Sequence, residues 1–411
     1  MAFDKYKQYV LLSSAALFSG LIVQISLPYV ITASINAEAY SSWIFYFSYL
    51  AFLNLIDLGT IQWSQYNLLK LHVADKKKFM SAQNKSQIFI KSITYLFILI
   101  TCIFAYVNQD FILGFLGLGI LLNNITRYNI VVLRSMGKVE YYFSYIILLN
   151  ILIIVFIFYL SNKIENLILI SGAYFLAQFI IFSLSEIHKS RLLKNEFNDS
   201  YMNKKMSFTS LAPKGSIRFW KVHIMQIVNQ NIIILSMGVI VAPIQLATIG
   251  AIRTMTNLGI TFSEAISKAL LPRITYLDSN GESAIKINKF KNLYILINIL
   301  IASLYTIFLY FLGNLLFDVW LNGKVQYDFN IMLLLIIRMV LVILTNSLQN
   351  YKFATGETDM IYFMETFIIV FTLIGIVVSL SLSLDIYWLI FISFIIPHLS
   401  YFSYIYMFSK K

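Results

Sequence analysis

The stretch LNLIDLGTIQWSQYNLL, residues 53–69, closes a long apolar run and carries a carboxylate, Asp57, with Gly59 just behind it. It has a counterpart in the second half of the chain. LIDLGTIQWSQ at 55–65 lines up with MTNLGITFSEA at 255–265, so that Asp57 meets Asn257, Gly59 meets Gly259 and Ser64 meets Glu264. Further on, VLRSMGKVEYY at 132–142 matches YKFATGETDMIYF at 351–363, with Gly137 against Gly356. The two matches keep the same order, which indicates an internal repeat. Gly59 and Gly259 then mark the same bend or close-packing point in each half.

The medium around these stretches follows from composition. The 411 residues are 59% hydrophobic and only 12% charged, where a soluble domain carries about 25% charged residues. A membrane span needs about 20 mostly apolar residues. Twelve such segments run at 10–35, 41–65, 88–107, 111–133, 141–160, 167–187, 217–241, 244–270, 292–316, 329–351, 361–383 and 386–408. The reading is an all-α polytopic membrane protein of twelve transmembrane helices. The first apolar segment is too long for a signal-peptide core and lacks a cleavage site, so it reads as an uncleaved span. The single cysteine, Cys102, leaves no intrachain disulfide and no metal cluster.

Lys and Arg collect on the cytoplasmic side of membrane proteins. Of the 31 here, Lys163 and Lys324 fall in outer connections, and Arg127, Arg253 and Arg338 fall inside spans; the other 26 lie on the inner side if both termini are cytoplasmic. The net charge of +12 therefore reflects this bias and contact with anionic lipid headgroups, and gives no reason to expect nucleic acid as a partner. The long basic connection 188–216 divides the chain into an N-terminal lobe, 1–187, and a C-terminal lobe, 217–411, of six spans each. Six is even, so the lobes enter the membrane in the same sense, as parallel repeats related by a pseudo-two-fold axis.

Polar residues inside the spans fall into stripes. Treated as one helix, span two places Asn54, Asp57, Thr60, Ser64 and Asn67 within about 140° of arc. Span eight places Arg253, Asn257, Thr261, Glu264 and Lys268 within about 80°. Span ten offers Arg338, Thr345, Gln349 and Lys352, and span four offers Arg127. Ionisable groups in hydrocarbon cost several kcal/mol, so these faces meet one another or a wet cavity. The arginines suit an anionic substrate, because a planar guanidinium donates two parallel hydrogen bonds to phosphate. Asp57 and Glu264 are candidates to pair with them or to carry a coupling ion, H+ or Na+. His398 reads as a packing residue and Glu365 as interfacial. Pro28 and Pro397 are candidate helix bends. No Walker motif, HExxH or nucleophile elbow occurs, and no metal site is expected.

With both halves in view, the chain resembles the Wzx-type O-antigen flippases of the multidrug/oligosaccharidyl-lipid/polysaccharide (MOP) exporter superfamily. The resemblance rests on ISLPYVITASINAEAYSSWIFYFSYLAFLNLIDLG at 25–59, on EAISKALLPRIT at 264–275 with its Pro272, and on the turn at Gly137. The family's second glycine after L-D-L-G is replaced here by Thr60. The resemblance implies two six-helix lobes around a central cationic cavity, in the bacterial inner membrane, and no enzymatic activity. It implies that undecaprenyl-diphosphate-linked repeat units are flipped by alternating access, for lipopolysaccharide biosynthesis, with a polysaccharide polymerase and a chain-length regulator as partners. Arg253, Arg338, Arg127, Asn257 and Gln349 would line the substrate path. Capsule, teichoic acid or peptidoglycan precursors remain alternative cargoes, and a MATE-type multidrug extruder or an O-antigen polymerase are alternative functions.

Overall fold

A computed structural model describes residues 2–161, 166–197, 215–279, 284–354 and 358–401. Among the described residues there is helix and no strand, as expected for an all-α membrane protein. Nine helices among them are long and apolar enough to cross a membrane. The remaining three expected spans each depart from a plain apolar helix, and each departure has a local cause.

The chain divides into two compact units: Met1–Ile35 with Tyr46–Ile224, and Asn36–Phe45 with Met225–Lys411. The first unit holds α1 (Ala2–Ser34), the second part of α2 (Ala37–Leu50), α3 (Thr60–Ala74), α4 (Lys76–Asn108), α5 (Phe111–Ser135), α6 (Val139–Ser161), α7 (Leu167–Glu196) and the start of α8 (Ser216–Ile240). α7 continues past the expected end of span six at 187, and 198–214 of the long connection lie outside the described residues.

The centre of this unit is α5, which packs against α4, α6 and α7. Polar side chains reinforce the packing. Lys189, only 1% exposed, donates to Asn129 Oδ1 at 2.7 Å and pairs with Glu186 at 3.1 Å, while Lys91 holds the other Glu186 oxygen at 2.7 Å. One carboxylate thus serves two ammonium groups, from α4 and α7. Pro28 lies inside α1, where Thr32 Oγ1 donates to its carbonyl at 2.8 Å.

Span two is where the sequence expectation fails. The apolar run predicts a continuous helix over 41–65, with its polar residues on one face. Instead α2 ends at Leu50, a 3-10 turn covers Ala51–Leu55, and α3 starts afresh at Thr60. Leu58 and Gly59 both have positive φ, 47° and 72°, so the chain reverses its local hand before re-entering a helix. Asn54 and Asp57 therefore do not share a helical face with Thr60, Ser64 and Asn67, which keep their i, i+4, i+7 spacing within α3.

The second unit holds the start of α2, the rest of α8, then α9 (Pro243–Ser279), α10 (Ala284–Leu321), α11 (Phe329–Ala354), α12 (Thr358–Ser381) and α13 (Ile386–Tyr401). α9 is too polar to count among the nine apolar spans. It packs against α10 and α11, and Tyr305 of α10 donates to the Met255 carbonyl at 2.9 Å. Within α13, Phe391–Ile395 forms a π turn. Pro397 just beyond lacks an N–H, and a widened turn is a usual way to absorb such a gap. On its other side Gly375 of α12 presses against the π turn, where an added Cβ would stand 2.8 Å from Ser393 Cα.

The matched glycines do different work. Gly59 is a left-handed residue at a chain break. Gly259 sits inside the unbroken α9, where an added Cβ would stand 2.6 Å from both Met339 Sδ and the Tyr305 ring. Both glycines are close-packing points, Gly59 against the backbone of α8 and Gly259 against α10 and α11, but only Gly59 is also a bend. Gly356, the partner assigned to Gly137, lies outside the described residues.

Candidate functional site

Breaking a helix inside a membrane frees backbone polar groups, which must be satisfied locally. The sequence supplies the partners. Asn124 Nδ2 of α5 donates to the Leu53 carbonyl at 3.0 Å, and Trp220 Nε1 of α8 donates to the Leu55 carbonyl at 2.9 Å. Asp57, 1% exposed, accepts from Gly59 N at 3.1 Å and from Ile61 N at 3.0 Å, one with each carboxylate oxygen. This is N-terminal capping of α3, and a carboxylate there also complements the helix dipole. Arg127 lies within electrostatic reach of Asp57 and of His223, and approaches Asn54 Oδ1 at 3.5 Å. Asp57 is therefore occupied as a cap with a cation nearby.

The second unit carries the larger concentration of interior charge. Arg338 on α11 is 7% exposed, and Arg253 on α9 is half-buried. Among the described residues no carboxylate reaches ion-pair distance of Arg338 or Arg253, and the Nε of each has no hydrogen-bond partner. Arg253 donates an Nη2 hydrogen to the Gln230 carbonyl of α8. It acts electrostatically on Arg338 and on Tyr40, a fully buried phenol whose hydroxyl contacts Thr254 Oγ1 at 3.4 Å. His398 of α13 is buried within reach of Arg338, and its Nδ1 has no partner among the described residues. Arg338 thus lies within electrostatic reach of both Arg253 and His398, on three helices, with no balancing carboxylate at ion-pair distance among the described residues. Burying such charge is costly, and an anionic ligand would relieve it.

Other expected residues are dispersed. Asn257 and Glu264 sit half-buried on α9. Gln349 of α11 is buried beside Glu365 of α12, and away from the arginine pair along its own helix. The apolar run places Glu365 near the start of its span; it is 4% exposed and accepts from Asn229 Nδ2 of α8 at 2.9 Å. Lys268 and Lys352, the last members of their stripes, have side chains outside the described set. Tyr40, Asn229 and Glu365 were not singled out as site residues. Only Glu365, a carboxylate in the apolar run FMETFIIVF, left a readable signal.

No protein-family model matches the chain, and no curated protein matches it in sequence. Solved structures do match, over nearly the full length of both chains. An inward-facing multidrug resistance MATE family transporter of the MOP superfamily superposes with a TM-score of 0.67 at 13% identity, covering 96% of this chain and 97% of its own. The MATE multidrug transporter DinF-BH, solved as a complex, superposes with a TM-score of 0.67 at 11% identity, covering 98% and 95%. A MATE in complex with MaL6 gives 0.66 at 14%, covering 98% and 96%. The chain is a multi-pass membrane protein with the fold of the MATE transporters of the MOP superfamily.

Proposed function

We propose that the chain is a flippase that moves undecaprenyl-diphosphate-linked oligosaccharide repeat units of the O-antigen class across the bacterial inner membrane, with both termini cytoplasmic. The observation that carries this reading is the pair of half-buried Arg253 and buried Arg338, held in one unit with no balancing carboxylate among the described residues. The pair suits a diphosphate, which takes parallel hydrogen bonds from guanidinium groups. Transport proceeds by alternating access, with the pair facing first one side and then the other, driven by a coupling cation. Asn257, one turn from Arg253 on α9, contributes polar surface to the path. The transporter fold shared with the structural neighbours supports translocation over chemistry on the substrate.

The fold neighbours are multidrug transporters, and Glu365 is the feature here that favours that second reading, since a buried carboxylate suits a cationic drug. Deleting the gene and analysing lipid-linked saccharides separates the two. A flippase predicts loss of surface polysaccharide and build-up of single repeat units on the cytoplasmic side. Normal surface polysaccharide with heightened sensitivity to cationic drugs would reject it. Surface attachment of single unextended units would identify a polymerase instead.

A further inference from the structure

We propose that the lysines at the start of α4, with Lys194 at the end of α7, form a docking face for the acidic surface of a protein that works on that side of the membrane. The side is cytoplasmic in the orientation proposed above. The inference does not depend on the cargo.

Two helices mark the membrane level independently. On α4, Lys77, Lys78, Ser81, Lys85 and Ile88 fall within about 100° of arc. All five are exposed, and the same face continues with exposed Tyr95, Leu96 and Leu99. On α7, exposed Leu184, Ile187, Arg191 and Lys194 fall within about 80°. Each face changes from apolar to charged at one place, between Ile88 and Lys85 and between Ile187 and Arg191. The hydrocarbon ends there, because charge on a lipid-facing surface is costly.

Heights follow from the helical rise. Lys85 and Arg191 stand about 5–6 Å beyond the apolar face, within a headgroup layer about 5–8 Å deep. Lys194 stands about 10 Å beyond it, and Lys76, Lys77 and Lys78 about 15–18 Å. The lower pair meets anionic headgroups. The upper tier has passed them and stands in water.

A folded foot carries the upper tier. Phe79 and Met80 of α4 are buried with Leu193 and Phe197 of α7 and Leu68 of α3. Phe79 and Phe197 stack at 5.6 Å, and Lys76 Nζ lies 5.9 Å over the Phe197 ring. The acids of 75–87 and 188–197 are both engaged within the foot. Asp75 caps Lys77 N and Lys78 N, and Glu196 pairs with His72 at 2.8 Å. Lys78 Nζ is 3.7 Å from Asp75, yet 75% of the lysine side chain stays exposed. Three lysines in this first turn also oppose the dipole of α4, so they do not serve the helix they begin.

Charge selects the occupant. The connection 198–214 carries Lys204, Lys205 and Lys214 against Asp199, and the whole chain is +12, so neither this connection nor a second copy supplies the counter-charge. Proteins hold single-stranded nucleic acid with aromatic side chains that stack on bases, whereas Phe79 and Phe197 are both buried. Headgroups lie too low. Carboxylates on a protein surface reach the upper tier and pair with ammonium groups that the foot holds in place.

The test is photo-cross-linking in living cells, with a photoreactive residue at position 77 of the full chain and, as control, at position 99. Position 77 should give a discrete protein adduct whose cross-linked peptide is rich in Asp and Glu, and position 99 should give lipid. Lys76→Gln with Lys78→Gln should lower the adduct about threefold or more, since two exposed ion pairs are lost. Lys85→Gln with Arg191→Gln removes the same charge and should leave the adduct in place. Equal loss in both double variants would overturn the proposal. Lipid or nucleic acid cross-linked at position 77, a contact peptide without acidic residues, or no protein adduct would overturn it too. In vesicles containing phosphatidylglycerol, a nitroxide on Lys77→Cys, with Cys102→Ser, should relax with a water-soluble reagent as freely as in solution. Shielding at headgroup level would contradict the height on which the docking face depends.

Discussion

Gly59→Ala probes the break in span two most sharply. At φ 72° an L-residue pays the left-handed penalty, about 1–2 kcal/mol. The added methyl also meets backbone: the Ser216 carbonyl oxygen, and Trp220 N at 2.5 Å. Those atoms open α8 and are fixed by the Trp220–Leu55 hydrogen bond, so they cannot yield as a side-chain tip would. Overpacking of this kind adds about 1–3 kcal/mol, for a sum of about 2–5 kcal/mol. Gly137→Ala is the matched control, since Gly137 has φ 76° and nothing within 4 Å of an added Cβ. It should lose the conformational part alone. Unfolding in SDS-containing mixed micelles, followed by tryptophan fluorescence, gives both values. Equal losses in the two variants would refute the claim that α8 is seated against the break.

Asp57→Asn should cost about 1–2 kcal/mol in the same unfolding assay, because an amide offers one acceptor where the carboxylate caps two N–H groups; a silent substitution would remove the capping role. Arg338→Met should do the reverse, raising stability by about 1–4 kcal/mol, as replacing a buried charge by an apolar side chain of similar volume often does, while repeat-unit export falls; loss of both stability and export would show that Arg338 has a structural partner. Asp75, at the exposed start of α4, accepts from the backbone of Lys78 and Lys77, and these hydrogen bonds hold its carboxyl below the usual range. Its contribution is present above the ordinary carboxyl range and lost as pH falls through the lowered value, so amide exchange at Lys77 and Lys78 should accelerate only at strongly acid pH; unchanged protection there would contradict the capping.

Segment lengths were legible because hydrocarbon thickness imposes them, and most helices follow the apolar runs. The break at 51–59 was not. AFLNLIDL is apolar enough to pass for helix, and Asp57 with Gly59 reads equally as a polar stripe or as a cap with its turn. The partners that decide between these, Asn124 and Trp220, lie far along the chain. The burial of Glu365 was not legible for a similar reason: counting residues from the start of a span gives depth in the bilayer, whereas its burial comes from α8, α11 and α13 folding around it. The repeat misled at Gly259, where matched sequence conceals a continuous helix against a broken one. The arginines were legible as anomalies, since unpaired charge in an apolar run is costly wherever it points.

The most direct measurement of the account is movement of a labelled undecaprenyl-diphosphate-linked oligosaccharide across reconstituted vesicles. Wild-type protein should carry it between leaflets, and Arg253→Ala and Arg338→Ala should each slow it at least about tenfold, the equivalent of about 1.4 kcal/mol, while remaining folded. Full-rate movement by both variants, or extrusion of cationic drugs with no movement of the lipid-linked sugar, would contradict the account.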